Sequence, residues 1–173
     1  TYTETHEEKL TYTGHHIVIT IAREYGSGGR FVGKLVAEKL GVPFYDKEII
    51  SLSAKKSGLS EDYVEMIDQN KKSANYLNNN DDRLFVAEKK VIEGLAKKES
   101  CVIVGRCADY ILKDNKDVIK VFLYSDDKHK VKRAVKYYGL DSKNALKQIN
   151  KINKERDKHY KFYTDREWTD QNN

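Results

Sequence analysis

Ile17-Val18-Ile19-Thr20-Ile21-Ala22-Arg23-Glu24-Tyr25-Gly26-Ser27-Gly28-Gly29-Arg30 is the stretch from which the rest of the chain is read. Its apolar and β-branched run ends abruptly in a Gly-Ser-Gly-Gly turn. An uninterrupted apolar strand belongs in a parallel sheet covered on both faces. Beyond the turn the period changes: Phe31, Leu35, Lys39 and Val32, Val36, Leu40 recur at helical spacing, and Gly41 ends the helix. Strand, glycine turn and helix together make a phosphate cradle. Glycines let backbone N–H groups approach an anion, and the helix N-terminus adds partial positive charge. Gly26, Ser27, Gly28, Gly29 and Arg30 are the candidate anion-binding residues. Arg30 opposes the helix dipole, an arrangement that an intervening anion relieves.

Two registers of a phosphate-binding loop compete here. A literal G-x-x-x-x-G-K runs from Gly28 to Lys34, but Leu35 follows where Ser or Thr is needed, and Lys34 falls a turn inside the helix. The other register sets the loop at Arg23 to Arg30 and puts Gly29-Arg30 where the loop lysine belongs. That register is preferred, with Lys34 kept as a second candidate cation. The competing reading is a glycine turn that binds nothing.

The 173 residues suffice for one domain with a proper core, and a net charge of +5 suits small phosphorylated ligands better than nucleic acid. Cys101 and Cys107 lack metal-ligand spacing and read as reduced thiols, which points to the cytoplasm. No membrane span or leader is recognised. Residues 1–16 form a polar tail ending in His15-His16, and residues 17–173 form the domain.

Val42 to Tyr45 reads as a second strand, followed by Asp46 as cap of a helix towards Ser57. A further helix runs from Ser60 to Asn70, a loop from Lys71 to Asp82, and a helix from Leu84 to Lys97 with Leu84, Ala87, Val91 and Leu95 as its apolar stripe. Cys101–Val104 and Val118–Leu123 are buried strands, the first ending in Gly105-Arg106. The alternation predicts an α/β fold. In such sheets ligands bind beyond the carboxyl ends of the strands. The glycine turn, Asp46 and Arg106 all fall there, on three different strands.

The last third is helical and basic. One helix spans Asp127 to Tyr138 and stops at Gly139; another opens at Asp141 or Ser142 and runs to about Tyr163. Lys147, Lys151, Lys154 and Lys158 make a solvated stripe, with Ala145, Ile149, Ile152, Arg156 and Tyr160 on the other side. Arg156 is the odd residue on an inward face. It either snorkels or pairs with Glu155 or Asp157, or it clamps phosphate from a lid at 127–163, where Arg133 and Lys132 converge with it.

The motifs I-T-I-A-R-E-Y-G-S-G-G-R-x-x-G-K (Ile19–Lys34), L-G-x-P-F-Y-D-K-E-I-I (Leu40–Ile50), V-G-R (Val104–Arg106) and K-x-x-K-E-R-D-x-x-Y (Lys151–Tyr160) together resemble the cytidylate-kinase-like family of P-loop, nucleoside monophosphate kinases, from about residue 17 onward. The resemblance implies a three-layer P-loop kinase fold with a five-stranded parallel sheet, whose last strand is missing from this chain. It implies ATP with Mg²⁺, and transfer by positioning and charge neutralisation. Carried over, the glycine turn with Lys34 holds the donor phosphates, and Arg30, Arg133 and Arg156 are the catalytic cations. Asp46, Arg106 and Asp157 contact the acceptor. No protein metal ligand is assigned.

Departures from the family pattern are specific. Gly29-Arg30-Phe31 replaces the loop's Lys-Gly-Thr, Asp46-Lys47-Glu48-Ile49 replaces the acceptor-side Asp-Ser-Gly-Ala, and Cys107 replaces an aspartate after Gly105-Arg106. Three functions follow in order of support. The first is a phosphotransferase acting on a nucleoside monophosphate or another small acceptor. The second is a catalytically impaired nucleotide sensor, and the third, weakest, an RNA-binding module on the basic helices. A small-molecule partner is expected, without specific nucleic acid or membrane, and a homodimer is left open.

Overall fold

A computed structural model describes residues 15–46 and 82–170 of the chain. In order these form β1 (Val18–Arg23), α1 (Gly29–Leu40), β2 (Phe44–Tyr45), α2 (Asp82–Lys98), β3 (Cys101–Val104), α3 (Ala108–Ile111), β4 (Val118–Leu123), α4 (Asp127–Tyr138) and α5 (Ala145–Thr164). The helices expected at 47–57 and 60–70 and most of the 71–82 loop lie outside the described residues. So do residues 1–14 of the expected tail.

The strands make one parallel sheet in the order β2-β3-β1-β4. Val18 pairs with both Cys101 and Val118, so β1 is central. Four strands are present among the described residues. β2 is shorter than expected: the Val42 N–H is taken by the Ala37 carbonyl, and Pro43 has none to give.

Alternation along the strands builds two apolar layers. Ile21, Val102 and Val104 pack with Ala37 under α1, and Val18, Cys101 and Ile103 pack with Val91, Ile92 and Leu95 of α2. Helices therefore cover both faces of β1 and β3, which is why those strands carry no polar alternation, whereas β4, expected to be buried, is an edge strand that leaves Ile119 and Lys120 exposed. Burying each of Val18, Ile92 and Ile103 contributes about 1.5–3 kcal/mol. α1 lies close because Gly33 carries no side chain: a Cβ there would stand 2.8 Å from Val104 Cγ2.

Gly41 and Gly139 end α1 and α4 in left-handed geometry, as expected. α5 starts later than expected. The Asp141 carboxylate accepts from Lys143 N and Asn144 Nδ2, holding a turn ahead of the helix. Its lysine stripe is exposed, and Ala145, Ile149 and Tyr160 are buried. α3 escaped prediction because four residues show no period.

Candidate active site

The turn between β1 and α1 is held from outside and left open within. Glu24 N donates to the Leu123 carbonyl at 2.9 Å, and Tyr25 N to Asn153 Oδ1 at 2.7 Å. The Glu24 carboxylate accepts from Lys130 Nζ at 3.1 Å and Ser125 N at 3.3 Å. Gly26 and Gly28 have φ of +82° and +89°, and a Cβ on Gly26 would sit 2.8 Å from the Lys130 carbonyl oxygen. Both positions therefore require glycine. Among the described residues the N–H groups of Gly28, Gly29 and Phe31 donate to no protein acceptor, as the first turn of a helix dictates.

Arg133 reaches this turn from α4. Its Cζ lies 3.1 Å from the place a Cβ on Gly28 would occupy, and its Nε is buried and donates to no acceptor among the described residues. The guanidinium is flanked by Phe31 and Tyr137, with ring centres at 5.9 and 5.3 Å. Lys132 is exposed beside it, and Lys34 is exposed on the second turn of α1.

Arg30 is engaged differently from the sequence expectation. Its Nε pairs with Asp46 Oδ2 at 2.7 Å. A carboxylate of the chain itself thus offsets the cation at the helix start, and Arg30's position no longer argues for a bound phosphate.

Asp46 is buried at the end of β2, and Arg106 follows β3, its Nε 3.3 Å from the buried Glu88 carboxylate of α2. Gly105, Arg106 and Cys107 all have φ between +53° and +79°, so β3 leaves through a strained turn that fixes where Arg106 stands. Arg156 neither snorkels nor pairs along its own helix: its Nη1 donates to the Arg23 carbonyl at 3.1 Å and its head stacks on Tyr25 at 5.4 Å. Burial lowers its pKa. Asp157 is half-buried on α5, where its charge acts on Lys161 a turn away.

The geometry adds residues that pattern reading passed over. Arg23 closes β1, and its pKa is lowered to about 9 by burial and then by Arg156 and Arg106. An arginine terminating an apolar strand is the only signal the sequence offers for it. Glu88 hides beside the apolar stripe of α2, one residue from Ala87. His159 is pushed down to about 4 by burial and Arg106. Cys101 and Cys107 are free, and burial pushes both thiols up, the first to about 12, so neither serves as a nucleophile.

Unpaired amides, a glycine cradle and the orphaned Arg133 Nε fit nucleotide phosphates. A protein-ligated Mg²⁺ does not fit the loop. Phe31 stands where a P-loop hydroxyl belongs, and the Ser27 hydroxyl donates to the Glu24 carbonyl at 2.8 Å. Among the described residues no group of three or more His, Cys, Asp or Glu is placed to hold a metal.

Residues 18–173 match the sequence model of the cytidylate kinase-like family. The chain belongs to that family. A cytidylate kinase from Archaeoglobus fulgidus is 30% identical over 150 residues, covering 84% of this chain and 76% of the relative. The crystal structure of an uncharacterized protein from Eubacterium ventriosum superposes with a TM-score of 0.71 at 33% identity, covering 91% of this chain and 83% of the other. A shikimate kinase from Bacteroides thetaiotaomicron, at 20% identity and a TM-score of 0.53 over 84% of this chain and 82% of its own, shares the fold. Family and fold support a nucleotide-kinase type of function for this cytidylate kinase-like chain. No helix among its described residues is long and apolar enough to cross a membrane.

Proposed function

We propose that the chain is a cytoplasmic, ATP-dependent phosphotransferase acting on a nucleoside monophosphate or a similar small acceptor. One observation carries this reading: a buried arginine nitrogen with no partner among the described residues, Arg133 Nε, held over a left-handed glycine at the N-terminus of α1. A buried donor left unpaired costs about 1–3 kcal/mol, which an anion in the turn offsets. The N–H groups of Gly28 and Gly29 and the Arg133 fork hold the donor phosphates. Arg106 and Asp46 face the acceptor from the ends of β3 and β2. Residues 127–163 act as the lid, with Arg156 bridging the end of β1 to α5. Transfer then relies on positioning and fixed positive charge. Any Mg²⁺ would be held by the nucleotide phosphates rather than by a side chain of the loop.

A second reading has its own support. Phe31 in place of a hydroxyl, and Arg30 engaged with Asp46, suit a nucleotide-binding sensor with impaired catalysis. Coupled ADP release across the common nucleoside monophosphates, run beside ATP titration, decides between them. Turnover with at least one acceptor is expected. Measurable ATP binding without any turnover defeats the enzyme and leaves the sensor.

A further inference from the structure

Asn153 and Arg156 lie three residues apart on α5, which puts them on one face of the helix. Both reach the same short piece of main chain at the end of β1. Asn153 Oδ1 accepts from Tyr25 N at 2.7 Å, and Arg156 Nη1 donates to the Arg23 carbonyl at 3.1 Å. One acceptor and one donor thus grip the backbone on either side of Glu24. Glu24 itself is held from α4: its carboxylate accepts from the buried Lys130 of that helix and from Ser125 N just ahead of it. Lys130 and Arg133 are again three residues apart, so the face of α4 that holds Glu24 also carries the arginine over Gly28.

The ring of Tyr25 completes the contact. Arg156 Cζ lies 5.4 Å from its centre, and the centre of the Tyr138 ring lies 5.2 Å from it. With one nitrogen on a carbonyl and its face on a ring, the Arg156 head is engaged by the turn itself. Tyr25 N is taken by α5 and is not offered to an anion. The amides that donate to no protein acceptor among the described residues lie further on, at Gly28, Gly29 and Phe31.

Three glycines in four residues make the turn lose much conformational freedom when it orders. A turn that must present its amides in one arrangement gains from being fixed at its root before a ligand arrives. We propose that Asn153 and Arg156 form a two-point clamp on the main chain of residues 23–25 and are positioning residues, which set the glycine turn for phosphate without touching it. This departs from the catalytic role that the family resemblance gives Arg156. Phosphate as the ligand rests on the phosphotransferase reading; the clamp stands on the contacts.

Two measurements on the full chain test this: amide hydrogen exchange at Tyr25 and calorimetric titration with ATP. Asn153→Leu removes the acceptor, and Arg156→Met removes the donor while keeping an apolar stem against Tyr25. Exchange at Tyr25 is expected to be slow in the wild type and about tenfold or more faster in each variant. Each variant should also weaken ATP binding about five- to tenfold, as loss of one hydrogen bond implies. Asn153→Asp keeps an oxygen for Tyr25 N and should keep its slow exchange. The double variant, Asn153→Leu with Arg156→Met, should bind ATP within about twofold of the weaker single variant, because the clamp fails when either point is lost. Independent contacts with phosphate would multiply instead, to about 25- to 100-fold.

Fast Tyr25 exchange in the wild type overturns the proposal, as does exchange left unchanged by Asn153→Leu. ATP affinity unchanged in both single variants also overturns it, and losses that multiply in the double variant would place Arg156 on the phosphate. Failure of both single variants to fold would make the two residues part of the core and overturn it likewise. A wild type that binds ATP but turns over no acceptor removes the phosphotransferase reading and leaves the clamp. A wild type that binds no ATP, with Tyr25 slow to exchange, removes the positioning role.

Discussion

Replacing Arg133 by methionine separates binding from packing, because the two roles predict opposite outcomes. In the free chain the buried Nε is unpaired, and removing it relieves about 1–3 kcal/mol. Against this stand two cation–π contacts, at 5.9 and 5.3 Å, with Phe31 and Tyr137. Both rings are more than half exposed, at 63% and 59%, so each contact contributes about 0.5–1 kcal/mol. The two sides nearly cancel, and the free variant should melt within about 2–4 °C of the wild type. With nucleotide the balance changes. Charge-assisted hydrogen bonds are lost without replacement, and ATP affinity should fall about 10- to 100-fold. Calorimetric ATP titration and thermal melting on the same preparations read both quantities. A midpoint lowered by about 10 °C or more, with ATP affinity unchanged within about twofold, would show that Arg133 is a packing residue and refute the reasoning.

Three further substitutions or conditions probe other links. Thr20 is fully buried in β1 and its hydroxyl has no partner among the described residues, so Thr20→Val should stabilise the chain by about 1 kcal/mol in denaturant melts; a loss of stability would mean the hydroxyl is satisfied. Asp46→Asn breaks the 2.7 Å pair with Arg30, whose 60% exposure holds the stability cost to about 1 kcal/mol or less. The acceptor KM should rise while the KM for ATP does not, and the reverse pattern would move Asp46 to the donor side. His159 is held neutral by burial and Arg106, with its pKa lowered to about 4 from 6.5. The unfolded chain then binds the extra proton first, so stability falls as pH drops from about 6.5 to about 4 and is flat for this group below that. His159→Gln should remove most of that slope in melts across this range.

The chemistry of the glycine turn, the apolar strands and the stop at each helix end is local, and local pattern reveals it. The runs at 17–21 and 101–104 became the two inner strands of a parallel sheet because residues buried on both faces have no use for polar alternation, whereas 118–123, interrupted by Lys120, became a partly exposed edge strand. Gly41 and Gly139 ended their helices because only glycine enters the left-handed region without penalty. The glycine turn, Asp46 and Arg106 follow the carboxyl ends of β1, β2 and β3, positions the order of the elements along the chain already gives.

Pairing across the chain was not legible, because it depends on which side chains share space after folding. Arg30 looked free at a helix start until β2 delivered Asp46 beside it. Arg156 reached past its helical neighbours to a carbonyl 133 residues away. Arg133 reads in the sequence as a lid cation converging with Arg156, and Arg23 as an ordinary basic residue; only the fold holds the first over Gly28 and sets the second against Gly29. Sequence determined where backbone amides gather; tertiary packing decided which cations meet them, since a long flexible side chain finds its partner by proximity in space, which spacing along the chain does not encode.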